Sequence, residues 1–231
     1  MTSIYLIRHG QASFDAAEYD ELSALGIKQA KRLGEGLQQR LASVDKVIHG
    51  GMRRHVQTMQ YCMSEFVQLK FDQLADDNWR EYDHQQILLR HNPHFASAEQ
   101  MKNYLAEFDH PALVFQQEFE MAINRWISGE HDADYSESWP QFVRRIKQAL
   151  ANTLVAAKGK KRVLVFTSGG PIALVSQQLL GIEAKNMLRL NWTLNNCGVT
   201  KLFVSRNGLV LSSLNEHSLF EGEYQHLISY K

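Results

Sequence analysis

Cysteine is scarce in this sequence: Cys62 and Cys197 are the only two among 231 residues. Two thiols so far apart build no disulfide framework and show no metal-ligand spacing, so they read as small buried hydrophobes. Proline is also scarce, with four residues that form no linker; Pro93 and Pro111 instead break helical segments. An excess of either charge is missing, because 25 Lys and Arg balance 25 Asp and Glu. That balance excludes a nucleic-acid footprint and a polybasic membrane anchor. Any anion chemistry must come from local charge. No apolar run approaches the length that spans a membrane. The opening Met1-Thr2-Ser3-Ile4-Tyr5 has neither the basic region nor the apolar core of a signal peptide. These absences point to the cytoplasm. Repeats and low-complexity tracts are absent as well.

What remains is one globular domain over residues 1–231, with 44% apolar residues, enough for a sizeable core. Its organising stretch is Ile4-Tyr5-Leu6-Ile7-Arg8-His9-Gly10-Gln11. Four apolar residues in a row read as a strand buried on both faces. Gly10 lets the chain turn, leaving Arg8 and His9 at the carboxyl end of the strand, where open α/β sheets bind ligands. Ser23 is a candidate N-cap for a helix running to about Leu41, with Ile27, Ala30, Leu33, Leu37 and Leu41 facing the sheet. A short strand, Lys46 to His49, leads through Gly50-Gly51 into a second helix that ends near Phe66 and carries Arg53 and Arg54. Phe71 to Leu74 is a third strand, followed by Trp79-Arg80-Glu81.

From residue 84 to about 138 the pattern loosens into helical pieces, Met101–Phe108 and Leu113–Ile127, which read as an inserted helical cap. His91, His94 and His110 lie there without metal-helix spacing. A stripe from Trp139 to Leu154 gives another helix. Val163 to Phe166 is a second buried strand, ending in Thr167-Ser168-Gly169-Gly170-Pro171 and a helix that stops at Gly181. Ser168 lacks the glycine two residues earlier that a hydrolase nucleophile elbow needs, since Phe166 stands there. Two strands, Gly198–Val204 and Leu209–Leu214, close the chain as an antiparallel edge. The fold class is therefore α/β, a three-layer α/β/α arrangement around a mostly parallel sheet.

Five segments in order resemble the histidine phosphatase superfamily, the phosphoglycerate-mutase-like fold. They are Leu6-Ile7-Arg8-His9-Gly10-Gln11, Leu22 to Ala30, Met52 to Thr58, Trp79-Arg80-Glu81, and Val163 to Gly170. The resemblance implies phosphoryl transfer through a phosphohistidine on His9. It makes Arg8 and Arg54 the holders of the phosphoryl oxygens, selecting Arg54 over Arg53 because it precedes Gln57-Thr58 by three residues. Glu81 becomes the proton donor and acceptor. Gln11, Ser13, Ser168 and Gly169 join Arg8 and Arg54 as expected substrate-binding residues. No metal or other cofactor is implied, because the arginines supply the positive charge.

Two departures stand out. The family strand normally ends Ser-His-Gly-Gly, and the second histidine is Ser168 here. A hydroxyl donates a hydrogen bond without charge, which slows the step about 2- to 30-fold relative to a charge-assisted bond. His84 and His217 are candidates to fill the missing role. The usual Asn after the signature loop is Asp15, placed at the rim because it would repel phosphate. Three activities stay open. The first is a phosphatase acting on a small phosphorylated metabolite or phosphoprotein. The second is a phosphate-binding regulatory protein with weak or lost catalysis, and the third a phosphoglycerate mutase. The expected partner is the phosphorylated substrate or inorganic phosphate, with a homodimer as the base-rate expectation.

Overall fold

The computed structural model of the chain describes residues 2–13, 20–66 and 71–230. Six strands form one sheet: β1 (Thr2–Arg8), β2 (Lys46–His49), β3 (Asp72–Ala75), β4 (Arg162–Thr167), β5 (Val199–Ser205) and β6 (Gly208–Glu216). Their order is β3-β2-β4-β1-β5-β6. The first four run parallel, and β5 and β6 add the antiparallel edge. Among the described residues the α-helices are α1 (Ala24–Arg40), α2 (Arg53–Met63), α3 (His84–His91), α4 (Ala98–Leu105), α5 (Pro111–Ser128), α6 (Trp139–Ala156), α7 (Gly169–Leu180) and α8 (Met187–Thr193).

Strand periodicity explains the three layers. In β1, Ile4 and Leu6 point into one apolar cluster, while Tyr5 and Ile7 point into another. The first cluster takes side chains from α5, α6 and α7, including Trp126, Phe142 and Ile172. The second takes Leu33 and Leu37 of α1 with Met59 and Cys62 of α2. Both faces of β1 and β4 are thus dry, which is why their sequences are unbroken apolar runs. Ser23 caps α1, its hydroxyl accepting the Gly26 N–H at 3.0 Å.

Element boundaries differ from the sequence reading in identifiable ways. Ser97 accepts the Gln100 N–H at 3.1 Å, so α4 begins before Met101 and ends at Leu105. Pro111 occupies the start of α5. The second helix closes at Met63, not Phe66, and β3 begins at Asp72. Helix α8 was not anticipated. The segment 84–138 shares the main core: Phe95, Ile123, Trp126 and Tyr135 belong to the same cluster as Ile4 and Val165. Asp15, assigned to the rim from sequence, lies outside the described residues.

Candidate active site

All four parallel strands aim their carboxyl ends at one place. β4 lies between β2 and β1, and the register sets Arg8 beside Thr167 and His49 beside Phe166. The segments that leave these ends are therefore neighbours in space although distant in sequence. β1 delivers Arg8 and His9, β2 leads into α2 with Arg54, β3 leads to Glu81, and β4 leads to Ser168 and Gly169. A cleft of about 580 Å³ opens over them, lined by Arg8, His9, Arg54, Glu81 and His84. Its outer walls come from Phe115 and Phe119 of α5, Asn191 and Trp192 of α8, and Tyr230.

His9 is 7% exposed. Its Nδ1 lies 2.7 Å from the Gly10 carbonyl oxygen. A carbonyl only accepts, so Nδ1 carries the proton and Nε2 keeps a free lone pair. Burial holds the imidazole well below its ordinary pKa, helped by Arg54, Arg8 and His55 in turn. The ring is therefore neutral at physiological pH, the state a nucleophile requires. The main chain of His9 is also clamped: its N–H donates to the Thr167 carbonyl at 2.9 Å, and Asn196 Nδ2 donates to its carbonyl at 3.0 Å.

Two guanidiniums flank this ring. Arg8 donates to the carbonyl of Leu194 and to that of Tyr230. Arg54 is 5% exposed; its Nη1 meets Asp20 Oδ1 at 2.6 Å. Arg54 Nε is buried with no hydrogen-bond partner among the described residues. A buried, unpaired donor on a cation is costly unless an anion completes it. On the other side, Glu81 accepts from the Gly170 N–H at 3.1 Å and from its neighbour Tyr82 at 3.2 Å. Burial raises the Glu81 carboxyl above its usual range, against the pull of the Gly170 N–H and of Arg54. A neutral imidazole and a carboxyl disposed to keep its proton are matched for nucleophilic attack and general-acid catalysis.

Of the other residues named from sequence, only His84 lines the cleft among the described residues. The Gln11 side chain accepts from Ser23 Oγ at 2.8 Å, its N–H donates to Gln29 at 2.8 Å, and it does not line the cleft. The Ser13 N–H donates to the Glu21 carbonyl at 2.7 Å, and Ser13 is likewise not a lining residue. Gly169 is packed so closely that an added Cβ would overlap Asn191 Oδ1. Ser168 is fully buried, its Oγ 2.6 Å from His55 Nε2, and it does not line the cleft either. Of the two histidines named for the missing charge, His84 lines the cleft, whereas His217 is hydrogen-bonded to the Asn215 carbonyl away from it.

Sequence reasoning missed His55, Asp20, Asn191, Trp192 and Tyr230. The one available signal was the position of His55, next to Arg54 inside the matched segment. Among the described residues, no cluster of His, Cys, Asp or Glu could hold a metal ion, and no helix is long and apolar enough to cross a membrane.

No curated protein matches the sequence. Solved structures do match the fold. A phosphoserine phosphatase from Entamoeba histolytica, solved with 3-phosphoglyceric acid, aligns with a TM-score of 0.63 at 18% identity, covering 95% of this chain and 99% of that one. An alpha-ribazole phosphatase from Shigella flexneri aligns at 0.60 and 17% identity, covering 93% and 96%. A phosphoglycerate mutase from Bacillus anthracis str. Sterne aligns at 0.60 and 19% identity, covering 94% of each chain. At these identities the likeness is one of fold. The sequence itself matches the histidine phosphatase superfamily (branch 1) over residues 4–114 and 108–217. That match spans nearly the whole chain and includes the strand ends from which the cleft is built, and so the protein belongs to the histidine phosphatase superfamily.

Proposed function

We propose that this protein is a phosphatase that hydrolyses phosphate monoesters through a phosphohistidine on His9. The single observation that carries the proposal is the convergence of His9, Arg8, Arg54 and Glu81 on one cleft, with Arg54 Nε left without a partner among the described residues. A phosphoryl oxygen is the natural acceptor for that donor. In the first step His9 Nε2 attacks phosphorus and the bond to the ester oxygen breaks. Glu81 gives its proton to the departing alcohol. In the second step Glu81, now a carboxylate, takes a proton from water as the oxygen attacks phosphorus. The phosphorus–nitrogen bond breaks and inorganic phosphate leaves. Arg8 and Arg54 offset the charge on the phosphoryl oxygens in both steps, so neither step calls for a metal.

The cleft walls favour an alcohol portion that is apolar and uncharged. Phe115, Phe119 and Trp192 offer aromatic surface. Beyond Arg8 and Arg54, no Lys or Arg lines the cleft among the described residues, and residues 14–19 contain none. A carboxylated substrate such as phosphoglycerate meets no second cation among the described lining residues, which favours the phosphatase reading over a mutase.

A panel of aryl phosphates, alkyl phosphates and 3-phosphoglycerate tests the reading. Aryl phosphates are expected to be hydrolysed with the highest kcat/KM, and His9→Ala to lose on the order of 10³-fold or more. Turnover unchanged in His9→Ala removes the proposed nucleophile. Isomerisation of 3-phosphoglycerate would establish the mutase instead, and phosphate binding with no turnover the regulatory protein.

A further inference from the structure

We propose that His55 is a positioning residue for the transfer: with Ser168 it forms a buried imidazole–hydroxyl couple that stands behind His9 and holds the nucleophilic ring on target. The inference rests on the phosphohistidine reading above. His55 and Ser168 are both fully buried, and His55 Nε2 lies 2.6 Å from Ser168 Oγ. The His55 and His9 ring centroids are 5.7 Å apart, with planes inclined at 32°. Neither member of the couple lines the cleft, so it acts on the reaction through His9.

Three parts of the fold meet at this couple. α2 carries both Arg54 and His55, the turn into α7 carries Ser168, and β1 ends at His9. The residue before Ser168, Thr167, takes the His9 N–H. Thr58, one turn beyond Arg54, accepts the Gly10 N–H at 3.0 Å and donates to the Arg54 carbonyl at 2.6 Å. The backbone on one side of His9 is thus tied to the neighbour of Ser168, and on the other to the helix that carries His55. Among the described residues the His9 ring has a single hydrogen-bonded tether, from Nδ1 to Gly10. One tether fixes a point on the ring and not its plane. The inclined face of His55 supplies the missing constraint, and the bond to Ser168 fixes where that face stands.

An apolar side chain would fill the same volume without the desolvation cost of a buried imidazole, a cost relieved only by good hydrogen bonding. His55 Nδ1 is buried against the Gly50 main chain, in a contact too bent or too long for a full hydrogen bond, so Ser168 supplies the one well-formed bond to the ring among the described residues. The superfamily pattern sets an imidazole at the Ser168 position. Here a hydroxyl stands there and the imidazole reaches it from α2. Both side chains are fully buried and in contact at 2.6 Å, so a ring at position 168 would press on the His55 imidazole.

Four variants test this: His55→Ala, His55→Gln, Ser168→Ala, and the swap His55→Ala with Ser168→His. His55→Ala is expected to lower kcat about 10- to 100-fold, as loss of alignment does. Its Kd for inorganic phosphate should stay near the wild-type value, because Arg8 and Arg54 remain. His55→Gln, whose amide reaches the Nε2 position, should recover part of the loss. Ser168→Ala should fall as far as His55→Ala, and the two together no further, since members of a unit are not additive. The swap should restore most of kcat. Ser168→His alone should lower it, through crowding against His55.

An unchanged kcat in His55→Ala overturns the proposal. So does a loss of kcat and phosphate affinity together that the swap fails to restore, because a folding defect behaves that way. Wild-type protein and His9→Ala, run in parallel, keep the two readings apart. If the wild type shows no His9-dependent turnover, the phosphatase reading fails, and the couple is judged by nitrogen NMR of the imidazoles. A single Nδ1-protonated His9 in the wild type, becoming a mixture in His55→Ala, supports the couple. An unchanged His9 signal sinks it.

Discussion

Glu81 and His9 are displaced from their ordinary acidities in opposite directions by the same cause. Burial disfavours the charged form of each, so the carboxyl rises and the imidazole falls. The proposed mechanism needs His9 neutral and Glu81 protonated. For kcat/KM this predicts an acid limb where His9 gains its proton and an alkaline limb where Glu81 loses its own. Replacing Glu81 with Gln should remove the alkaline limb. It should also discriminate by leaving group. Alkyl phosphates, whose departing oxygen needs a proton, should lose about 10²- to 10⁴-fold in kcat/KM. Nitrophenyl phosphate should lose much less in that parameter. Equal losses for both esters would take the acid role away from Glu81.

Helix α7 is where packing and chemistry touch most closely. Its first turn presents the Gly170 N–H to Glu81, and an added Cβ on Gly170 would overlap Glu81 Oε1 and crowd the Tyr82 ring. Gly170→Ala should therefore push the acid out of position, at a cost to stability of about 1–3 kcal/mol, the usual range for overpacking. The far end of the same helix is a control. Gly181 takes the left-handed conformation with φ of 66° and nothing stands near its missing Cβ. Gly181→Ala should cost about 1–2 kcal/mol through backbone strain. Melting temperatures should drop for both variants, but kcat only for Gly170→Ala. A Gly170→Ala enzyme with undiminished kcat would show that the Glu81 carboxyl does not depend on this contact. The same logic applies to α2, whose first residues carry Arg54 and His55 together. The buried character of its first turn was not readable, because the groups that meet it, Ser168 after β4 and Asp20 before α1, are remote in sequence.

Across the molecule, burial is the largest cause lowering the pKa of His9, His49, His55 and His84. A histidine depressed in the folded state binds protons better when unfolded. Its contribution to stability is present above the unfolded value of about 6.5 and is lost as pH falls through the lower folded value. Glu81, raised by burial, works in reverse: it subtracts stability as pH rises through its own window, which lies above the unfolded carboxyl value. The histidines outnumber it and act near neutrality. Urea denaturation at pH 7.5 and at pH 5.5 should therefore give a lower midpoint in acid, and a midpoint that is level or higher in acid would contradict this account.

The architecture was legible in the sequence wherever one physical rule dominated. Strands β1 and β4 are buried on both faces, so they read as unbroken apolar runs. Helices α1 and α6 bury one stripe, so they read as 3.6-residue periods. Arg8, His9, Arg54 and Glu81 were legible because each sits in a short segment whose order along the chain is characteristic. What only the tertiary structure decided is contact between segments remote in sequence. His55 and Ser168 are 113 positions apart, and nothing local to either announces the other. Gln11 and Ser13, read as binding residues, bond to Ser23, Gln29 and the Glu21 carbonyl and do not line the cleft among the described residues. Helix α8 and the aromatic wall carry no motif, because a surface that receives a ligand needs only shape and apolar area. Local periodicity and turn chemistry suffice to specify elements; a site is specified by the crossing of elements, and that crossing is set by the sheet order.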